Sequence, residues 1–440
     1  MLSRLMLSLV VIACLAFPTT AITAPLTLPD AIALAVDGHP DLRAAEAALG
    51  VARADSTYAG TAAFNPALEI RASSGGQSLG SGTESVLEFG VSQELELGGK
   101  RGARRVVAAA RSRTSAAEWD AQRLAIESRV RAEFEHALFM QERVRSLDEL
   151  AELDRPVVRA TQARVRDGLV TPVTGRLTEL DGLRIEVQVR RARSDFRQAI
   201  LGLAQAMGRE LADSTRLAGE LAPDSLQAPE DSVIAVALRR RGEGAVLRGQ
   251  MNERRAELDL AQREGRPNLT VGAGLSRERR SFAGEDFSGD PAIVGGIDGV
   301  SATDNLWTAR ISLPLPFWQK NQAGQARATA EIARSQATYD RYSIQLRLDI
   351  LAAIRQFEDA TALYHMYLDR SPRVRQDLGL VRGAYTDGRI ALDSYLTQKG
   401  RLVDTLLAEI EAGDAYWDAR GRLEAAAGLG LAQLNTEAAR

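Results

Sequence analysis

Apolar residues alternate with polar ones through Leu87, Phe89, Val91 and Leu95, and again through Trp307, Ala309, Ile311, Leu313 and Leu315. A period of two sends successive side chains to opposite faces, so both stretches predict β-strands with one apolar face. Two shorter alternations precede them, Leu68, Ile70 and Ala72, then Leu269, Val271, Ala273 and Leu275. Each later strand runs straight into helical sequence, through "VSQELELGGKRGARRV" from Val91 and "ISLPLPFWQKNQAGQARA" from Ile311. A different period then takes over. Val130, Phe134, Ala137, Met140, Val144, Leu147 and Ala151 recur about every 3.5 residues, the repeat of left-handed coiled coils.

The chain is an internal duplication. Val91 aligns with Ile311 and Lys100 with Lys320, both 220 apart, and the same offset joins Asp167-Gly168 to Asp387-Gly388 and Gly208 to Gly428. Fixed-period self-similarity of this kind defines the domain plan. Upstream the offset falls to 201, Pro66 matching Pro267, because the second copy carries extra Gly/Asp/Ser-rich sequence around 276–305. The first repeat spans 25–229, with strands about 66–74 and 85–97, a long helix about 101–165 and a return helix about 172–207. The second spans 230–440, with strands about 268–277 and 305–315, a long helix about 321–385 and a return helix about 391–428. A further helix opens each copy, 30 to about 62 and 231 to about 264. A 65-residue helix would reach ~97 Å, far beyond a globular helix.

Composition narrows the class. Net charge is −3 over 440 residues, giving no basis for a nucleic-acid partner. Aromatics at 5% are few for a compact β-rich core, so the chain is mainly α. Arg4 and the apolar run from Leu5 to Phe17, ending in small residues, predict a signal peptide over 1–24 with cleavage after Ala24. Thirteen apolar residues are too few for a spanning helix. The alternative is a lipoprotein box at "VIAC", which would make Cys14 the acylated residue; Cys14 is the sole cysteine. The lysines are three, Lys100, Lys320 and Lys399, against a large excess of arginine, which reads as genomic bias.

Strands of nine to eleven alternating residues have the length that crosses an outer membrane when tilted. Opposite the apolar stripe lie Glu88, Ser92 and Glu94, and in the second copy Thr308, Arg310 and Ser312, as expected of a water-filled lumen. Four strands cannot close a barrel, and an open edge in lipid is prohibitive. Two chains would supply eight strands, filled by side chains, and three would supply twelve, enough for a conduit. Phe317 and Trp318 then fit the aromatic girdle where barrel meets water.

With these features assembled, the chain resembles the TolC family of outer-membrane efflux channels over essentially its whole mature length. The resemblance rests on the duplicated unit, "GHPDL", "ELGGKRGAR", "PLPFWQKNQAG", and the "DGLV" and "DGRI" turns. The junction motifs are most similar to the heavy-metal-efflux branch, the CzcC-like proteins. It implies a homotrimer with a twelve-stranded barrel in outer-membrane lipid and a periplasmic helical tunnel. Its partners would be a periplasmic adaptor and a proton-driven inner-membrane pump, its cargo metal cations or small toxic compounds. It also implies an aperture gate at Tyr385, Arg389 and Asp393 with Arg166 and Asp167, and adaptor docking at Gly168, Leu169, Gly388 and Ile390. Helix capping by the glycines and nearby Asp is the simpler alternative at these turns.

Nothing in the sequence points to catalysis, a cofactor or a metal site. "GGKRGAR" departs from a phosphate loop, with Arg101 after Lys100 and Glu94 where the first glycine belongs. His39, His136 and His365 are scattered, without metal-ligand spacing. The rival reading is a periplasmic coiled-coil adaptor, which would share the long helices but not four barrel-length strands of matched parity.

Overall fold

A computed structural model describes residues 25–76, 82–212, 214–282 and 300–438. The signal peptide and Cys14 lie outside the described residues. The chain divides into two compact units that interleave in sequence.

The first unit takes in residues 25–39, 126–230 and 351–438. It holds β1 (Leu26–Thr27) and α1 (Leu28–Gly38). It also holds most of α3 (Lys100–Arg166), with α4 (Pro172–Met207) and β4 (Leu217–Ala218). The end of α7 (Gln322–Leu368), α8 (Ser371–Thr386), α9 (Leu392–Ala427) and α10 (Leu431–Ala438) complete it. β1 pairs in parallel with β4. The second unit takes in residues 40–125 and 231–350. It contains α2 (Pro40–Tyr58), β2 (Ala67–Gly76), β3 (Gly82–Leu95) and the start of α3. Most of α5 (Glu230–Arg240) follows, then α6 (Gly242–Glu264), β5 (Leu269–Phe282), β6 (Val300–Ser312) and the start of α7.

The seam residues on α3 explain why so polar a helix holds together. Val130, Phe134, Ala137, Met140, Leu147 and Ala151 are all buried. Leu147, Leu150 and Ala151 pack with Ile185 and Val189 of α4, Leu378 of α8, and Val403 and Leu406 of α9. A second cluster centres on Tyr416, whose ring meets Phe357, Tyr364 and Trp417 at 5.1–5.4 Å. Its hydroxyl donates to the Asp224 carbonyl at 2.8 Å and accepts from the Asp224 N–H at 2.7 Å, pinning the connector after α4. α3 is a single helix of 67 residues, about 100 Å long, and tolerates Pro156 without a break.

Three expected helices are interrupted. The segment expected as one helix from 30 to 62 is split at His39, which the ring of Pro40 keeps out of the helical region (ψ 127°). Its counterpart over 231–264 is split at Arg241, also extended. The helix expected over 321–385 ends at Leu368 and restarts at Ser371. Pro372 has no N–H to donate to Leu368 and its ring clashes with that carbonyl, so the ladder stops there.

The strands form one antiparallel sheet ordered β2-β3-β5-β6. They extend farther from the helices than alternation alone predicts, because cross-strand pairs carry the ladder over polar sequence: Thr83 Oγ1 meets Ser281 Oγ at 2.7 Å and Arg280 pairs with Glu84 at 3.1 Å. At the helical side the ladder stops short, at Leu95 and Ser312. Gly98 and Gly99 turn there with positive φ, and Pro314 and Pro316 cannot donate. Register puts Leu68, Val91, Ala273 and Ala309 in one row and Ile70, Phe89, Leu275 and Trp307 in the next, on one face. That face is bare: Ile70 is 62% exposed, Ile311 77% and Trp307 84%.

In the first unit Glu135 on α3 lies largely enclosed beside Arg420 and the buried Glu424 of α9, with Arg420 Nε 3.4 Å from Glu135 and 3.1 Å from Glu424. Burial first, then the charge of Glu424, pushes the Glu135 carboxyl up to about 7, against the pull of Arg420 and Arg131. A carboxyl whose folded pKa is raised binds its proton more tightly when folded. Its contribution is therefore present at low pH and is lost as pH rises from about 4.5 to about 7. We expect Glu135→Gln to flatten the melting temperature over that window and to raise it above pH 7 by a few degrees, read by calorimetry across pH. An unchanged pH profile would contradict this assignment.

Candidate functional site

The two helical reversals have the same backbone. Gly168 (φ 73°) and Gly388 (φ 74°) take the left-handed conformation that only glycine adopts cheaply. The Gly168 N–H donates to Val165 and the Leu169 N–H to Arg164, and 220 residues on Gly388 donates to Tyr385 and Arg389 to Ala384. This is the Schellman closure of a helix C-terminus. A Cβ at either glycine would meet nothing within 4 Å, so the glycine answers to φ, not to crowding. Arg166, Asp167, Gly168, Leu169, Gly388 and Arg389 are exposed, and Ile390 is half-buried. The expected Asp caps are absent: Thr171 caps α4, its hydroxyl accepting from the Thr174 N–H, and Ala391 at the start of α9 makes no side-chain cap. Asp393 is an exposed residue in the first turn of α9.

Beneath the turns the copies diverge. Val165 lies against Gly175 in the first, where an added Cβ would come within 2.9 Å of Val165. The same two positions in the second are Tyr385 and Tyr395, whose rings stack at 4.8 Å. Tyr385 is buried, its hydroxyl 2.9 Å from Thr161 Oγ1 on α3, and the Arg164 guanidinium sits 5.3 Å from its ring. Within one chain, then, Tyr385 points inward while Arg389 turns outward and pairs with Asp387. Among the described residues no side-chain hydrogen bond, ion pair or ring contact joins Tyr385 to Arg389 or Asp393; Tyr385 joins Thr161, Arg164 and Tyr395, none of them singled out by sequence.

One turn deeper, Lys399 of α9 is 3% exposed and pairs with Asp154 of α3 and Asp181 of α4. Burial pushes the Asp154 carboxyl up while Lys399 pulls it down, and among the described residues Asp154 Oδ2 has no hydrogen-bond partner. Burial also raises the Tyr395 phenol, reinforced by the charges of Asp154 and Asp181. A lysine suits this place because its compact ammonium on a flexible stem can reach two carboxylates from different helices. The signal was in the duplication: Lys399 stands where the first copy has Glu179, and a lysine is rare in this arginine-rich chain. Lys100 is likewise buried, donating to Asn268 Oδ1 at 2.7 Å, so two of the three lysines hold structural posts.

On the sheet, Glu88, Ser92, Glu94 and Arg310 share the face opposite the apolar one. Glu88 pairs with Arg71 at 3.2 Å, Ser92 donates to Glu69 at 3.3 Å and Arg310 lies 4.0 Å from Glu69. Glu94 accepts from Asn268 Nδ2 at 2.6 Å, in the same chain of contacts as Lys100 at the strand-to-helix junction. Phe317 and Trp318 follow β6, both strongly exposed and edge-to-face at 5.9 Å.

The chain carries a duplicated helix-sheet unit whose sheet leaves an apolar face bare, and among the described residues no helix is long and apolar enough to cross a membrane. The outer membrane efflux protein family matches residues 31–209 and 233–429, and the chain belongs to that family. It is 26% identical over 352 residues to the cobalt-zinc-cadmium resistance protein CzcC of Cupriavidus metallidurans, covering 79% of this chain and 76% of that protein. Its fold matches the outer-membrane channel OprN (TM-score 0.67, 15% identity, 92% and 90% of the two chains). It matches the Campylobacter jejuni CmeC outer membrane channel equally well (TM-score 0.67, 15% identity, 93% and 89%). The protein is thus a TolC-like efflux channel component of the outer membrane, and not an enzyme.

Removing Lys399 would leave the buried Asp154 carboxylate without its cation, with the half-buried Asp181 beside it, a loss of about 3 kcal/mol or more. Lys399→Ala should lower the melting temperature by roughly 6 °C or more, increasingly as pH rises and the Asp154 carboxyl, which burial pushes up, ionises. The triple change Lys399→Met, Asp154→Asn, Asp181→Asn should recover most of it. A neutral Lys399→Ala, or no recovery in the triple variant, would refute the buried-pair account.

Proposed function

We propose that three copies of this chain form the exit duct of a three-part efflux system. The carrying observation is the four-stranded sheet that ends at both sides in unpaired strands, β2 and β6, while exposing a continuous apolar face. In hydrocarbon those edges must pair, and three copies would close twelve strands around a polar, charge-balanced lumen face of Glu69, Arg71, Glu88, Ser92 and Arg310, with Glu94 at its helical end. Phe317 and Trp318 would lie at the aqueous boundary as a girdle. The turns at Gly168 and Gly388, with Leu169 and Ile390, would dock a periplasmic adaptor, which couples the duct to a proton-driven inner-membrane pump. Leu169 supports this, an apolar side chain 72% exposed at the tip of a helical reversal. The similarity to CzcC supports metal cations as cargo, with small toxic compounds as the wider class.

The resting aperture would be held by Arg389 and Asp393 of one copy reaching Arg166 and Asp167 of a neighbour, over the Tyr385 base. Each such exposed link contributes only ~0–1 kcal/mol, so closure depends on threefold repetition.

Three measurements test this reading. The detergent-purified protein should have the mass of three chains, and a stable monomer with intact strands would defeat the barrel. In planar bilayers Arg389→Ala with Asp393→Ala should raise single-channel conductance severalfold, whereas Gly388→Trp should abolish efflux in cells while the trimer still assembles. Unchanged conductance in the first would remove the gate, and normal efflux in the second would remove the docking role.

A further inference from the structure

The arginines of the sheet fall into two groups that are treated differently. On the polar face Arg71, Arg280 and Arg310 all face carboxylates, those of Glu88, of Glu84 and Glu278, and of Glu69. Arg277 and Arg279 point to the opposite, apolar face, in register with Leu87 and Asn305 and with Ser85 and Thr303. Both are exposed, and among the described residues neither has an acidic partner. Unneutralised cations on a lipid-directed face are costly unless an anion meets them.

Their position says which anion. Arg277 is the next outward residue after Leu275, about 7 Å along the strand, and Arg279 is about 7 Å beyond it. Both lie on the side of the apolar band away from the helices, near the strand ends at Gly82 and Phe282. Long side chains at that depth reach into the interfacial layer, which is several ångströms thick. A shallow depression of about 770 Å³ opens there, lined by Ser74, Ser85, Leu87, Arg277, Arg279 and Thr303. Two guanidinium forks and three hydroxyls suit phosphate oxygens, which arginine engages bidentately. Directly toward the membrane lie Ile70, Phe89, Leu275 and Trp307, an apolar wall for acyl chains.

We propose that this depression binds the phosphorylated headgroup of a membrane lipid on the side of the bilayer away from the helices. Headgroup phosphate meets Arg277 and Arg279, the hydroxyls take remaining oxygens, and the acyl chains lie along the apolar wall. A dissolved phosphate could use the same arginines, but it gains nothing from the wall. The inference rests on the reading that the apolar sheet face meets lipid.

The test uses the full-length protein in dodecyl maltoside, with diphosphoryl lipid A added and retained lipid counted by native mass spectrometry. Arg277→Gln with Arg279→Gln should lose about tenfold in retained lipid, the scale of a lost charge-assisted contact. Arg280→Gln, on the other face, should retain it fully. Equal retention in wild type and the double variant would overturn the site, as would loss in Arg280→Gln alone. Inorganic phosphate at millimolar concentration should not displace the lipid; displacement would assign the arginines to a soluble anion and overturn the lipid reading. A nitroxide at Leu275→Cys reports the face separately. Stronger relaxation by dissolved oxygen than by a nickel chelate keeps the lipid-facing assignment, and the reverse overturns that assignment and the site with it.

Discussion

Backbone polar groups in hydrocarbon must be paired within the protein, and this chain supplies a sheet that cannot meet the requirement alone. β2 and β6 each leave a row of N–H and C=O groups facing outward from the sheet. Every such group costs several kcal/mol in lipid, so the sheet is stable in a membrane only when its edges meet other chains. The same demand explains the abrupt ends of the ladder on the helical side. Gly98, Gly99, Pro314 and Pro316 end pairing where the chain turns to helices, whose hydrogen bonds are satisfied internally.

The duplication provided two equivalent scaffolds, and the copies differ in what packs beneath the two helical reversals. Backbone closure at Gly168 and Gly388 is the same, because glycine alone relieves the strain of a left-handed cap. Side chains are not. Val165 against Gly175 brings α3 and α4 together closely, while Tyr385 against Tyr395 fills the corresponding space with stacked rings and a hydrogen bond to Thr161. Repetition of the fold does not imply repetition of the role.

Buried charge in the helical layers carries a desolvation cost that only a complete set of partners offsets. Exchanging a buried ion pair for well-packed apolar residues is often neutral or stabilising, whereas losing one partner is severe. Lys399 of α9 joins Asp154 of α3 and Asp181 of α4, and Arg420 of α9 joins Glu135 of α3. Leu and Val fit many registers; a lysine between two carboxylates fits one.

Local periodicity carried far along this chain. Alternation through Phe89, Val91, Trp307 and Ile311 is a property of neighbours two apart, and these residues share one sheet face. The 3.5-residue recurrence from Val130 to Ala151 marked buried positions on α3 in the same way. The offset of 220 located both reversals, since a Gly after Asp at a helix end has one cheap backbone solution. Sequence understated the helix breaks at His39 and near Pro372, where a proline acts on its neighbours' geometry and not on the hydrophobic pattern. What only tertiary structure decided were contacts between residues remote in sequence. Lys399 and Asp154 lie 245 positions apart, and Tyr385 and Thr161 lie 224 apart. No short-range pattern encodes such pairs, because they exist only once three helices are aligned and water is excluded between them. That Arg277 and Arg279 face no carboxylate among the described residues is of the same kind: every arginine in the strands looks alike until register assigns each to a face and to its neighbours.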